Sequence, residues 1–150
     1  MNRTIGRDMI KAPVRIGVQV TIQEAREVMQ MWGMRHLPVT DESDQLIGIV
    51  SERDFSRMFG SNLKGRDPIS EIMTVKPYAV FPETSLFEVV TEMAESKIGS
   101  VIIINFNREV IGIFTTTDAI KEFAKLLGNS ENNDYRVKKI SDYLVSQKSA

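Results

Sequence analysis

The sequence predicts an α/β protein made from two copies of one unit. Three observations carry that prediction. A short apolar strand, a hydroxyl and an acid recur in the same order at Leu46-Ile-Gly-Ile-Val-Ser-Glu-Arg-Asp-Phe55 and at Val110-Ile-Gly-Ile-Phe-Thr-Thr-Thr-Asp-Ala119. A shift of 64 residues lays Gly48 on Gly112 and Asp54 on Asp118, and also pairs Met9 with Met73, Pro13 with Pro77, Glu24 with Glu88 and Met29 with Met93. The shift needs no gap from about residue 9 to residue 58, which marks an internal duplication. Within each copy the apolar residues switch between a spacing of two and a helical spacing. The economical architecture is two similar halves packed about a pseudo-twofold axis.

The elements follow in order. Residues 1–8 are polar and basic and read as a loose arm. Val14, Ile16, Val18 and Val20 alternate as in a half-buried strand. Thr21 with Glu24 forms a capping box, Ile22, Ala25, Val28, Met29 and Trp32 share a helical face, and Gly33 closes the helix. Met34 to Val39 is a strand whose Pro38 lacks a ladder donor, which places it at an edge or beside a gap. Thr40 to Gln45 is a turn, and Asp41, Glu42 and Asp44 within it read as solvated turn residues and not as a cation site. The strand at 46–50 then meets a helix running from Ser51 to about Met58. Gly48 and Gly112, inside strands, mark close approach by another backbone or by a ligand.

Phe59 to Pro68 is a linker. The second copy repeats the order: a helical turn at Ile69–Met73, an extended Tyr78–Phe81, and a helix capped by Ser85 with Glu88 at the box position. Strands follow at Gly99–Ile104 and Val110–Phe114, then a helix from Thr115 to about Leu127, stopped by Gly128. The expected divisions are residues 5–60, 69–127, and a polar loop with a short helix at 128–150. In that last piece Val137, Ile140 and Leu144 have helical spacing. It either packs back on the body or grips a partner.

Composition narrows the function classes. A hydrophobic fraction of 42% supports a packed core. A net charge of −1 argues against a broad nucleic-acid or anionic-membrane footprint, despite Lys138-Lys139, Arg3 and Arg7. The absence of Cys excludes disulfides, thiolate catalysis and zinc–thiolate sites, and one His cannot build a multi-histidine metal site. Met1 to Arg7 has no apolar core of a signal peptide, and no apolar run approaches a membrane span, so a cytoplasmic protein is expected. No nucleophile–base–acid set or paired carboxylates emerge with persuasive spacing, so no enzyme and no required cofactor are expected.

The order β-α-β-β-α, twice, resembles the paired cystathionine-β-synthase (CBS) domain, also called a Bateman module. The resemblance covers roughly residues 5 to 127. It rests on Arg35-His-Leu-Pro-Val39, on Gly48-Ile-Val-Ser-Glu-Arg-Asp54 and Gly112-Ile-Phe-Thr-Thr-Thr-Asp118, and on Met73-Thr-Val-Lys-Pro77 and Pro82-Glu-Thr-Ser-Leu-Phe-Glu88. It implies two three-stranded sheets packed together with two related clefts, which in this family often hold AMP, ADP, ATP or S-adenosylmethionine. It implies that backbone groups of the extended entry segments, here around Ile16 and Val80, grip the base. The closing Asp would meet ribose hydroxyls, the Ser or Thr ribose or phosphate, and a basic residue near the His-Leu-Pro strand the phosphates. It also implies regulation of a partner instead of catalysis.

Asp118 and Thr115 are therefore the first ligand candidates, with Thr116 and Thr117 as added donors. Their plain alternative is helix capping, which holds in either case. Ser51 and Asp54 are the equivalent pair, with Arg53 beside them to meet a phosphate or an acid. Arg35 and His36, ahead of Pro38, offer donors to phosphate; a structural contact is the alternative for His36. The equivalent positions in the second copy are Gly99 and Ser100, so the two clefts are expected to differ in phosphate affinity. Trp32 reads as core or dimer packing and not as a stacking platform, a role that Phe106 also resembles. The expected molecule is a homodimer paired through helices, with Trp32, Met29 and Met93 buried between copies. It would sense an adenine nucleotide and pass its state to an unidentified, separate regulated protein. A ligand-free interaction scaffold and an S-adenosylmethionine sensor are the alternatives.

Overall fold

The structure, a computed structural model, describes residues 3–128. The segment with Val137, Ile140 and Leu144 lies outside the described residues. The chain forms one compact unit to Ala119 and a second from Ile120.

The elements are β1 (Ile10–Lys11), β2 (Ile16–Gly17), α1 (Ile22–Trp32), β3 (His36–Thr40), β4 (Leu46–Ser51), α2 (Glu52–Ser56), β5 (Thr74–Val75), β6 (Ala79–Val80), α3 (Leu86–Glu95), β7 (Ser100–Ile104), β8 (Val110–Thr115) and α4 (Thr116–Gly128). Short 3-10 turns stand at Ile5–Arg7 and Ile69–Glu71. Two sheets result, in the orders β2-β3-β4-β5 and β1-β8-β7-β6. Each holds an antiparallel hairpin (β3/β4 or β7/β8) flanked by a parallel two-residue strand (β2 or β6). The mixed α+β architecture is the one expected, doubled.

The sheets have four strands, not three, because each repeat lends one to the other. β1, from the first repeat, pairs antiparallel with β8, and β5, from the second, pairs with β4. The glycines permit this. A Cβ on Gly48 would lie 2.6 Å from the Met73 sulfur and 3.1 Å from the Thr74 carbonyl oxygen; one on Gly112 would lie 2.3 Å from the Met9 sulfur. The close approach predicted at these glycines is that of the lent strand.

The exchange begins before the strands. Ile5 N–H donates to Thr84 O at 2.9 Å, and Ile69 N–H donates to Val20 O at 2.7 Å. Arg3 O accepts from Leu86 N–H at 2.8 Å, and Asp67 O accepts from Ile22 N–H at 2.9 Å. Each pair of bonds is one bond seen twice through the 64-residue shift. The N-terminal residues are thus no loose arm from Arg3 onward: Ile5 is fully buried and Arg3 pairs with Asp8. Pattern alone missed this because the backbone partners of residues 3–6 lie about 80 residues away and those of residues 10–11 about 100.

Three cores result. Ile16, Ile22, Ala25, Met29, Leu37, Val39, Val50 and Phe55 of the first half form one with Ile69 and Ile72 of the second. Ile5, Val89, Met93, Val101, Ile103 and Phe114 form its counterpart. Leu46, Ile102, Ile104, Val110 and Ile113 join the two sheets. The backbone repeats as closely as the packing. Left-handed residues fall at matched sites: Ala12 and Lys76 (φ 46° and 53°), Asp44 and Arg108 (61° and 62°), Gly33 and Lys97 (61° and 55°).

Several local expectations are corrected. Of Val14–Val20 only Ile16–Gly17 is strand; Val14, Val18 and Val20 pack against the first core from irregular and turn segments on either side. Pro38 is in an interior strand, yet β2 first pairs at Val39, so the gap reading holds and no donor is missed. Trp32 remains 63% exposed because α1 ends there and the chain turns away at Gly33. Ser85 makes no side-chain cap.

The capping box at α1 forms as predicted. Thr21 N–H donates to Glu24 Oε2 at 2.8 Å, and Glu24 N–H donates to Thr21 Oγ1 at 3.2 Å. The Thr21 backbone N–H, and after it the Thr21 hydroxyl, hold the Glu24 carboxyl below its ordinary value of 4.5. A lowered carboxyl stabilises the fold above its unfolded value and loses that contribution as pH falls through its folded value. The melting-temperature gap between parent and Glu24→Gln is therefore expected to narrow as the pH drops below 4.5. A gap unchanged in acid would show that the box carries no charge-dependent stability.

Candidate functional site

The two predicted corners, where β4 meets α2 and β8 meets α4, have one construction. At the first, Asp54 Oδ2 accepts from Ser51 N–H at 2.6 Å and from the Ser51 hydroxyl at 3.0 Å. At the second, Asp118 Oδ2 accepts from Thr115 N–H at 2.9 Å and from the Thr115 hydroxyl at 2.7 Å. The acid reaches back to close the strand-to-helix bend, as a helix start demands. Capping and ligand contact are compatible, because an ionised carboxylate has about four acceptor positions.

The corners differ in what surrounds them. Asp54 is only 3% exposed, and its Oδ1 lies 3.2 Å from an Arg57 guanidinium nitrogen. Asp118 is half-buried. Arg35 Nε lies 3.4 Å from Glu52 Oε2, both side chains mostly exposed, and Arg35 O accepts from Glu52 N–H at 3.0 Å. So exposed an ion pair is worth little and yields readily to a competing anion. Arg53 is exposed on α2. At the second corner Gly99 O accepts from both Thr116 N–H, at 3.0 Å, and the Thr116 hydroxyl, at 3.2 Å. The hydroxyl hydrogens of Thr115 and Thr116 are thus directed to protein oxygens, whereas Thr117 is exposed.

His36 opens β3 opposite Ser51 in the ladder, which sets it and Arg35 beside the first corner. Burial, and next the Arg35 charge, push its imidazole below the ordinary value of 6.5, against the pull of Asp54 and Glu52. Pro38 is buried two residues on. Ile16 (buried) and Val80 (half-buried) occupy matched places, pairing with Val39 and Ile103.

Arg57 was not among the predicted residues. Its position three after Asp54 on a helix start was the available signal. The acidic turn is engaged locally: Asp41 Oδ1 accepts from Ser43 and Gln45 N–H, each at 2.9 Å, and Asp44 pairs with Arg15. Phe106 lies against Phe81, centroids 5.2 Å apart, and is 89% exposed. Among the described residues there is no group of three or more His, Cys, Asp or Glu placed to hold a metal, and no helix long and apolar enough to cross a membrane.

The chain matches the CBS domain model twice, at residues 4–60 and 69–125. Among similar curated proteins are an L-aspartate semialdehyde sulfurtransferase of Methanocaldococcus jannaschii, 28% identical over 121 residues, and an inosine-5'-monophosphate dehydrogenase of Korarchaeum cryptofilum, 32% identical over 110. Those matches cover 80% and 73% of this chain but only 23% and 22% of the relatives. The chain thus spans about a quarter of the length of the curated relatives it matches. Among solved structures, the CBS domain pair of protein MJ0100, in complex with 5'-methylthioadenosine and S-adenosyl-L-methionine, superposes with a TM-score of 0.77 at 25% identity, covering 84% of this chain and 99% of that one. A CBS domain protein of Pyrobaculum aerophilum complexed with AMP superposes with a TM-score of 0.75 at 23% identity, covering 83% and 96%. Two consecutive domain matches, on a fold whose two halves trade strands, establish that the chain belongs to the CBS-domain family.

Proposed function

We propose that the chain is a regulatory module that binds an adenosine-type ligand at its duplicated corners and relays occupancy to a separate protein. Residues 5–60 and 69–127 act as its two repeats. The observation that carries this reading is the pair of strand-to-helix corners, each closed by an acid that accepts from its own Ser or Thr, with exposed side-chain donors close by. The ligands of the MJ0100 domain pair support the adenosine class. In this reading Asp118 and Asp54 accept the ribose hydroxyls, and the segments at Ile16 and Val80 line the base.

The choice among adenosine ligands follows from charge. Arg35, Arg53 and Arg57 stand around the first corner with His36, a set suited to phosphate. The second corner has Gly99 and Ser100 where the first has Arg35 and His36, with Thr115, Thr116 and Thr117 at its helix start. It suits the uncharged part of the ligand. We therefore favour AMP, ADP or ATP at the first corner; S-adenosylmethionine, favoured by the MJ0100 complex, is the second reading. Titrating AMP, ADP, ATP and S-adenosylmethionine by calorimetry into ligand-free protein tests this. Heat with the phosphorylated ligands supports it, heat only with S-adenosylmethionine selects the second reading, and no heat with any leaves an interaction scaffold.

We further propose a cytoplasmic homodimer paired through the helices. Met29 and Met93, 5% and 6% exposed, already fill the chain's own cores, so the contact falls to Trp32 and Met31, which are 63% and 78% exposed. Trp32→Glu is expected to shift sedimentation equilibrium toward monomer. A Trp32→Glu protein that sediments like the parent would rule this surface out.

A further inference from the structure

The two corners are joined by one side chain. The backbone of His36 belongs to the first corner through its pairing with Ser51. Its ring reaches the other repeat: a Cβ built on Gly99 would lie 3.2 Å from Nε2. Gly99 in turn holds the second corner, since its carbonyl takes both bonds from Thr116. Residue 99 has no side chain in the way, and a methyl there would crowd the imidazole. The 64-residue shift puts Ser100 where His36 stands and Arg35 where Gly99 stands, so the mirrored contact has no imidazole.

We propose that His36 is a positioning residue that couples the α2 corner to the α4 corner, so that a change in its ring is felt at Ser51–Asp54 and at Gly99–Thr116 together. Its bearing on ligand binding rests on the function proposed above; the coupling itself does not. Among the described residues the charged groups facing the ring come from the first repeat: Arg35 just before β3, and Glu52, Arg53 and Asp54 on α2. The β7 side presents Gly99, which carries no charge. Burial and Arg35 keep the ring neutral near neutral pH. Protonation draws it toward Asp54 and Glu52 and away from Gly99, loosening the contact with the second corner. A phosphate bound beside the ring favours the same protonated form, so anion binding and proton uptake become linked.

The chain has one histidine, so its ring gives a single proton-NMR titration. The expected midpoint lies below 6.5. The amides of Ser51 and Asp54 and those of Gly99 and Thr116 are expected to move with that same midpoint. Gly99→Ala is expected to shift the midpoint and to perturb Ser51 in the other repeat. His36→Gln is expected to abolish the response at Thr116. Flat Gly99 and Thr116 amides through the ring's titration, or a Thr116 response that survives His36→Gln, overturn the coupling. These two readings decide the matter even if Gly99→Ala does not fold. A shared titration in a protein that binds no adenosine compound sustains the coupling and refutes only the sensor.

Discussion

Ile5→Ala is expected to cost about 2–5 kcal/mol of unfolding free energy, the range for truncating a fully buried aliphatic side chain. The site is near the start of the chain, where truncation is ordinarily tolerated. Here Ile5 is 0% exposed and packs with Val89, Met93, Val101, Ile103 and Phe114 of the second repeat. Its backbone also supplies a donor to Thr84 O at 2.9 Å. The loss should therefore appear far from the mutation. Hydrogen exchange should quicken first in β7 and β8, while β3 and β4 keep their protection until global unfolding. Ile69→Ala should show the reverse, since Ile69 is fully buried in the first core with Leu37 and Val50. A denaturant series giving less than about 1 kcal/mol for Ile5→Ala, or faster exchange confined to β3 and β4, would contradict the strand exchange.

Asp118→Ala is expected to weaken binding of the cognate adenosine ligand about 10- to 150-fold, the equivalent of about 1.5–3 kcal/mol for hydrogen bonds to a charged group. The variant also removes the acceptor of Thr115 N–H, so a loss of about 0.5–2 kcal/mol in stability accompanies it. Calorimetry well below the melting temperature separates the two effects. Asp118→Asn should recover part of the stability, because its amide oxygen still accepts from Thr115, and little of the affinity. Asp54→Ala is a poorer probe of ligand contact. It strands Ser51 N–H at a site where the lost carboxylate is only 3% exposed, so destabilisation dominates. Affinity unchanged in Asp118→Ala would remove the carboxylate from the ligand's contacts.

The corners were readable because both ends of each interaction lie within four residues. Ser51 with Asp54, Thr115 with Asp118 and Thr21 with Glu24 are local pairs whose geometry follows from the helix start itself. Arg57 obeys the same local rule through its spacing from Asp54. The contact of His36 with Gly99 obeys no local rule, since 63 residues separate them and only the packing of the repeats brings them together. Ser85 shows the opposite failure. Its box residues are present, yet it makes no side-chain cap, and the first helical N–H of α3 goes to Arg3 O instead.

Periodicity and duplication, both properties of short windows compared at a fixed offset, were sufficient for the doubled α/β unit, its helices, its hairpins and the acid that closes each corner. Packing chose the rest. It decided that β1 and β5 cross between repeats, that Trp32 stays outside while Ile5 goes in, and that the His36 ring lies against Gly99 of the other repeat. The reason is that a repeat states the same local preferences twice but does not say which copy supplies the partner. Only burial of the shared apolar surface, summed over the whole chain, distinguishes a strand kept from a strand exchanged.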